Sequence, residues 1–102
     1  MSPVENKQTI ISILKQNSSK LKSYGVDKLS IFGSFVTGIP TPKSDIDFLI
    51  EFTPEQKTYD NFMDLSFYLE DILGRKVEIV TPQSLSKYIG PHILKKAEYV
   101  AL

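Results

Sequence analysis

The feature that most constrains this chain is the segment IFGSFVTGIPTPKSDIDFLI (residues 31–50), in which a loop rich in glycine and proline joins two apolar runs. Both runs are short and partly β-branched, so each predicts a strand. Asp45 and Asp47 stand two residues apart at the start of the second run. Because carboxylates are poor strand formers and repel each other, this placement suggests a cation that neutralises both.

The rest of the chain surrounds these strands with helical patterns. Apolar residues at helical spacing predict a first helix that begins with the capping sequence SPVE (residues 2–5) and stops at Gly25. A second amphipathic helix is predicted near residues 60–73, ended by Gly74. The remaining predicted elements are strands at 28–32, 45–52 and 76–80, a loop at 33–44 with room for a helical turn after Ser34, and two short helices, one capped by Thr81 with Pro82 first and one that starts at Pro91. This order predicts an α/β (α+β) domain with a small mixed β-sheet flanked by helices.

Composition narrows the class of protein. The 102 residues suit a single domain, 1–102, and a content of 41% apolar with 24% charged residues is ordinary for a globular protein. There is no cysteine, no signal-like N-terminus and no apolar run long enough to span a membrane, which favours a cytoplasmic protein. A net charge of zero argues against direct nucleic-acid binding, for which a basic stripe is expected.

The two aspartates are candidate metal ligands. Successive strand side chains alternate, so Asp45 and Asp47 would share one face with Cα atoms roughly 6.6 Å apart. Both carboxylates could then converge on one or two divalent cations, and hard oxygen ligands of this kind suit Mg²⁺. The alternative is a half-exposed strand with a polar outer face. The acidic block that they open, residues 44–71 with a net charge of −7, is equally compatible with a solvated surface.

Two further features would complete a site around these aspartates. Gly33 would let the backbone approach a ligand closely, and Ser34 offers a hydroxyl and an amide N–H to phosphate oxygens, although Gly-Ser is also a common turn. Glu78 would supply a third carboxylate if its strand lies beside that of the aspartates. Glu51 is the other candidate, but it lies roughly 13 Å along the strand from Asp47, too far to share an ion.

The combined pattern resembles the signature of the DNA polymerase β-type nucleotidyltransferase superfamily: GS, a spacer of ten residues, and then DID inside an apolar run. In so short a chain the likeness is greatest to the minimal nucleotidyltransferase (MNT) members, which are antitoxins of HEPN/MNT toxin–antitoxin pairs. The resemblance covers nearly the whole chain. It implies a polymerase β-like fold in which Asp45, Asp47 and Glu78 bind Mg²⁺ and act in catalysis, while Gly33 and Ser34 bind the phosphates of ATP.

Two positions depart from the family pattern. The family often carries arginine where Thr37 stands, before Gly38, and Lys43 is a candidate for the missing positive charge. The third acid of the family is often aspartate, whereas Glu78 is one methylene longer. Both departures bear on catalytic strength more than on the fold.

The resemblance implies that the chain transfers AMP from ATP to a tyrosine hydroxyl of a HEPN ribonuclease toxin and so silences it, with two Mg²⁺ ions. Only about twenty residues follow the last predicted strand, so the acceptor is expected on another molecule. One alternative is an antitoxin that neutralises its toxin by binding alone. Another is a homodimeric small-molecule nucleotidyltransferase with its acceptor cleft between two chains.

Basic residues near the C-terminus receive no catalytic role from the sequence. His92 is expected in the first turn of the last helix. Lys95 and Lys96 are interpreted as a solvated face of the same helix, available to an acidic partner.

Overall fold

Four strands form one mixed sheet in the order β3-β2-β1-β4. The structure, a computed structural model, describes residues 6–38, 41, 43–88 and 90–102. The strands are β1 (Val26–Phe32), β2 (Ile46–Phe52), β3 (Val77–Val80) and β4 (Glu98–Val100). β1 pairs antiparallel with both β2 and β4, whereas β3 pairs parallel with β2. The parallel pair requires a crossover, which the long helix between these two strands supplies.

The helices are α1 (Lys7–Gln16), α2 (Ser18–Ser23), α3 (Ser34–Thr37), α4 (Tyr59–Leu73) and α5 (Gly90–Lys96), with a 3₁₀ turn at Pro82–Ser84. Their buried side chains pack with the inner face of the sheet into one hydrophobic core. Its largest fully buried members are Ile10, Leu14, Leu21, Leu29, Ile31, Ile46, Phe48, Ile50, Leu65, Leu69 and Leu73. Within the described ranges, no helix is long and apolar enough to cross a membrane.

The predicted amphipathic helix is confirmed as α4. The Thr58 hydroxyl caps it by accepting a hydrogen bond from the Asn61 N–H at 3.1 Å. Gly74 ends it in the left-handed conformation, with φ 69°. Its buried apolar residues recur at helical spacing, which is why the sequence pattern predicted a helix here; they are Leu65, Leu69, Ile72 and Leu73.

The first helix is not continuous, so that prediction is wrong. Asn17 separates α1 from α2, and its side-chain N–H donates to the Ile13 carbonyl at 2.8 Å. Asparagine side chains compete with the backbone for such carbonyls, which is why they interrupt helices. α1 begins after Asn6, whose side chain accepts from the Thr9 N–H at 2.8 Å. The capping sequence predicted at residues 2–5 lies outside the described residues.

The helical tail predicted after Pro91 is also corrected. α5 begins one residue earlier, at Gly90, and gives way to strand β4, which pairs with β1. Three residues are too few for an alternating pattern to reveal a strand from sequence. The short helix predicted from Pro82 is a single 3₁₀ turn capped by Thr81, and β2 begins at Ile46 rather than at Asp45.

Candidate active site

The sheet register brings the predicted acidic residues to one end of the central strand. Asp47 on β2 lies opposite Phe32, the last residue of β1, and on its other side opposite Glu78 of β3. Asp45 precedes the first residue of β2 and is exposed. The adjacency of β2 and β3 that the Glu78 prediction required is therefore present.

The position of Glu78 depends on how β3 is attached. The Glu70 side chain of α4 accepts a hydrogen bond from the Val77 N–H at 3.1 Å. The Ile46 N–H donates to the Lys76 carbonyl at 3.0 Å. These two bonds hold the start of β3 between the end of α4 and the start of β2, and they set the register that places Glu78 beside Asp47.

Asp47 is the electrostatic centre of this group. Its side chain is partly buried, and its pKa is raised from 3.8 to about 6. Burial is the largest cause of this increase, followed by the Glu78 charge, a side-chain hydrogen bond with Glu78, and the Asp45 charge. Neighbouring negative charges that raise the pKa of Asp47 mark a place where negative charge has gathered without compensation. A divalent cation would relieve that repulsion.

The donor set fits the predicted metal, since carboxylate oxygens are the ligands that Mg²⁺ prefers. In the part of the chain that the structure describes, however, no three acidic or histidine side chains are gathered closely enough to hold a metal ion. The assignment of Asp45, Asp47 and Glu78 as ligands thus stays a prediction.

The raised pKa of Asp47 predicts a stability effect with a definite sign. A folded-state pKa above the unfolded value contributes stability that is present below about pH 4 and is lost as the pH rises through about 6. The Asp47→Asn variant should therefore be more stable than the parent at pH 7 in metal-free buffer. After discounting the shift for solvent exposure, the gain is about 1 kcal/mol.

Urea unfolding at pH 4 and pH 7, with a chelator present, measures this effect. The gain of Asp47→Asn should be confined to pH 7. Glu51→Gln is the matched control, because Glu51 is an exposed acid on the same strand. A variant that is less stable than the parent at both pH values would contradict the interpretation.

Gly33 makes the turn that the sequence predicted, but for an additional reason. It adopts φ 80° and ψ −153°, a conformation nearly restricted to glycine. A Cβ at this position would overlap with Oδ2 of Asp47 and would lie 3.1 Å from its Cγ. The glycine therefore makes room for the Asp47 carboxylate itself, as well as for any ligand.

Ser34 opens α3, the single helical turn expected after it. The turn is closed by the Val36 N–H, which donates to the Gly33 carbonyl at 3.0 Å, and by the Gly38 N–H, which donates to the Ser34 carbonyl at 3.2 Å. Four residues sum to only a small macrodipole. Phosphate binding at this turn would depend on individual N–H and hydroxyl groups of Gly33 and Ser34.

Arg75 organises the loop that leads to the aspartates, and sequence reasoning missed it. Its Nη1 donates to the Thr41 carbonyl at 3.0 Å and to the Ser44 carbonyl at 3.2 Å. Its guanidinium also lies 5.3 Å from the centre of the Phe35 ring. An arginine between a helix-ending glycine and a strand gives no signal in sequence, because its partners are carbonyl groups more than thirty residues away.

Lys43 lies in the same loop with an exposed side chain. Its backbone N–H donates to the Thr41 hydroxyl at 3.3 Å, inside a turn closed by the Ser44 N–H and the Thr41 carbonyl. Among the residues described, Lys43 does not line the cavity beside Gly33, and its phosphate-binding role stays a prediction.

A small cavity of about 190 Å³ opens beside this turn, lined by Phe32, Gly33, His92, Ile93 and Lys96. His92 does lie in the first turn of α5, as expected. The interpretation of Lys96 as part of a merely solvated face is incomplete, because its side chain borders a cavity that it shares with Gly33.

Comparison with known proteins places this geometry in a family. Residues 8–100 match the family model described as a nucleotidyltransferase domain. The chain belongs to that nucleotidyltransferase family. The resemblance drawn from GS and DID is thereby confirmed.

This nucleotidyltransferase is 35% identical over 94 residues to the protein adenylyltransferase MntA of Thermococcus cleftensis, and the alignment covers 91% of this chain and 94% of that relative. A solved structure of a proposed minimal nucleotidyltransferase superimposes with a TM-score of 0.78 at 26% identity, covering 95% and 96% of the two chains. This similarity confirms the predicted fold.

A third comparison concerns an assembly. A chain in the complex of tri-AMPylated Shewanella oneidensis HEPN toxin with its MNT antitoxin superimposes on this nucleotidyltransferase with a TM-score of 0.62 at 16% identity, covering 89% of this chain and 71% of that chain. At this identity the superposition is evidence for a shared fold.

Proposed function

We propose that this chain is a Mg²⁺-dependent protein adenylyltransferase that transfers AMP from ATP to a tyrosine hydroxyl of a HEPN ribonuclease toxin, and so acts as its antitoxin. The observation that carries the proposal is the register that sets Asp47 between the Gly33 turn and Glu78, in a nucleotidyltransferase domain. The MntA relative and the fold shared with a toxin–antitoxin complex support the choice of a protein acceptor.

Asp45 and Asp47 would hold the metal, and Glu78 would complete the set as a third ligand or as a base. Mg²⁺, when bound, would neutralise charge on the triphosphate and lower the pKa of the acceptor hydroxyl. The chain's own task is to orient the reactants, since phosphoryl transfer depends mainly on positioning and on charge stabilisation. Gly33 and Ser34 would hold the phosphates against the end of β1.

The transfer balances as a single displacement. The tyrosine oxygen forms a bond to the α-phosphorus of ATP while the bond from that phosphorus to the bridging oxygen breaks, and pyrophosphate leaves with the bonding electrons. The hydroxyl proton passes to a carboxylate of the group, and Glu78, which is exposed, would be the acceptor if it acts as the base. From there it exchanges with water.

Neutralisation by binding alone is the second candidate, and two observations favour it. Thr37 occupies the position where the family often has arginine, and the described carboxylates are not gathered into a three-ligand metal site. Stoichiometry separates the two functions, because an enzyme turns over and an occluding partner does not.

A sub-stoichiometric amount of this chain, incubated with ATP, Mg²⁺ and excess HEPN toxin, should modify all of the toxin. Intact-mass spectrometry should show additions of one or more AMP units, and the toxin's ribonuclease activity should fall in parallel. Omission of ATP is the control. Inhibition that requires equimolar chain and is indifferent to ATP would establish occlusion instead.

A further inference from the structure

The cavity beside Gly33 is formed by two parts of the chain that are far apart in sequence. Phe32 and Gly33 form one side at the end of β1, and His92, Ile93 and Lys96 of α5 form the other. Its walls are mainly apolar, and its basic side chains are contributed by the helix.

Sheet topology explains why α5 reaches this place. β4 follows α5 and pairs antiparallel with β1, with Glu98 opposite Ile31. Lys96 ends α5 two residues before Glu98, which brings it to the end of β1, where it lines the same cavity as Gly33. His92 precedes Lys96 by four residues, so both lie on the same face of the helix.

The charged side chains of Glu98 and Arg75 already make hydrogen bonds, which leaves Lys96 as the candidate to bind an anionic ligand in the cavity. The Glu98 carboxylate at the start of β4 accepts a hydrogen bond from Lys7 Nζ at 2.8 Å, in an ion pair. Arg75 donates to loop carbonyls on the other side of the turn. Lys96 is the lysine that borders the same cavity as Gly33.

We propose that Lys96 binds the β- and γ-phosphates of the nucleotide, and so the pyrophosphate that leaves, from the α5 side of the Gly33 turn. This inference rests on the proposed function, because it assumes that the phosphates lie at that turn. It assigns to Lys96 the positive charge that the family often places where Thr37 stands. The apolar walls of Phe32 and Ile93 strengthen the interaction, since charges attract more strongly where water is partly excluded.

The chain offers a matched control for this assignment. Lys95 is adjacent, exposed and on the same helix, but the cavity lining given by the described residues does not include it. Lys95→Gln and Lys96→Gln change net charge and helix propensity equally. Because both side chains are exposed, both variants should keep the fold, which circular dichroism would verify.

Isothermal titration of each variant with Mg²⁺–pyrophosphate, Mg²⁺–ATP and adenosine gives the test. Lys96→Gln should weaken pyrophosphate and ATP binding about tenfold, as expected for loss of one hydrogen bond to a charged group, with adenosine binding unchanged. Lys95→Gln should change none of the three, and Lys96→Arg should restore most of the pyrophosphate affinity. Equal effects of both glutamine variants, no effect of either, or a loss limited to adenosine would each overturn the proposal.

Pyrophosphate binding also separates this inference from the proposed function. If the chain binds pyrophosphate through Lys96 but adds no AMP to the toxin, the phosphate subsite is supported and the proposed adenylyltransferase function is wrong. If the Lys96→Gln variant modifies the toxin at the parental rate, the proposed function is supported and the subsite is wrong.

Discussion

The Asp47→Asn variant should bind its toxin as tightly as the parent does and yet transfer AMP at least roughly 10²-fold more slowly, the scale of loss when a group that stabilises transition-state charge is removed. Asparagine keeps the size and shape of the side chain, so the packing against Gly33 is preserved. What disappears is the charge expected to hold Mg²⁺. Intact-mass kinetics on the toxin measures the rate, and co-purification measures the complex.

Glu51→Gln controls for the loss of one acid from β2, and it should transfer AMP at the parental rate because Glu51 lies at the far end of the strand. Growth of cells that express the toxin gives a second reading. If Asp47→Asn neutralises the toxin in cells as well as the parent does, binding alone is sufficient. The catalytic interpretation would then be wrong.

Substitution of Gly33 should have a comparably large effect, through two causes that act together. Alanine at this position must adopt a backbone conformation that costs of the order of 1–3 kcal/mol, and its Cβ must displace the Asp47 carboxylate. We therefore expect Gly33→Ala to lower the free energy of unfolding by about that amount. It should also lose most Mg²⁺–ATP binding, since Asp47 can no longer lie where it does.

Gly38→Ala is the control within the same turn. Gly38 has φ −131°, which any residue adopts, and a Cβ there would meet its nearest atoms at 3.6 Å, an ordinary contact. Its free energy of unfolding should match that of the parent within about 0.5 kcal/mol, as for substitutions that create neither strain nor a clash. A Gly33→Ala protein as stable as Gly38→Ala, with ATP binding intact, would show that neither Asp47 nor the nucleotide requires this glycine.

Sequence reasoning found the parts of this fold whose signals are local. Apolar spacing and Gly74 predict α4, and short apolar runs on either side of the Gly33 turn predict β1 and β2. The sequence placed Glu78 near the aspartates only on the condition that its strand lies beside theirs, and the pairing of β3 with β2 meets that condition. Each of these elements has the secondary structure that its own residues favour.

The parts that sequence missed depend on contacts made elsewhere in the chain. β4 is a strand because β1 offers an unpaired edge to three residues that have no pattern of their own. Lys96 lines the cavity because that pairing brings α5 to the end of β1. Arg75 anchors a loop that is distant in sequence, by donating to its carbonyl groups. Asn17 interrupts a helix whose apolar spacing continues through it, so periodicity concealed the break.

The hydrogen bonds of Arg75 attach the loop before the aspartates through its main chain. Arg75 holds the loop by main-chain oxygens at positions 41 and 44, which every amino acid possesses. Lys43, between them, has an exposed side chain, so its replacement leaves both acceptors of Arg75 in place. Under the proposed function, this position can vary to suit the surface of a different protein acceptor while the anchor next to the aspartates is kept.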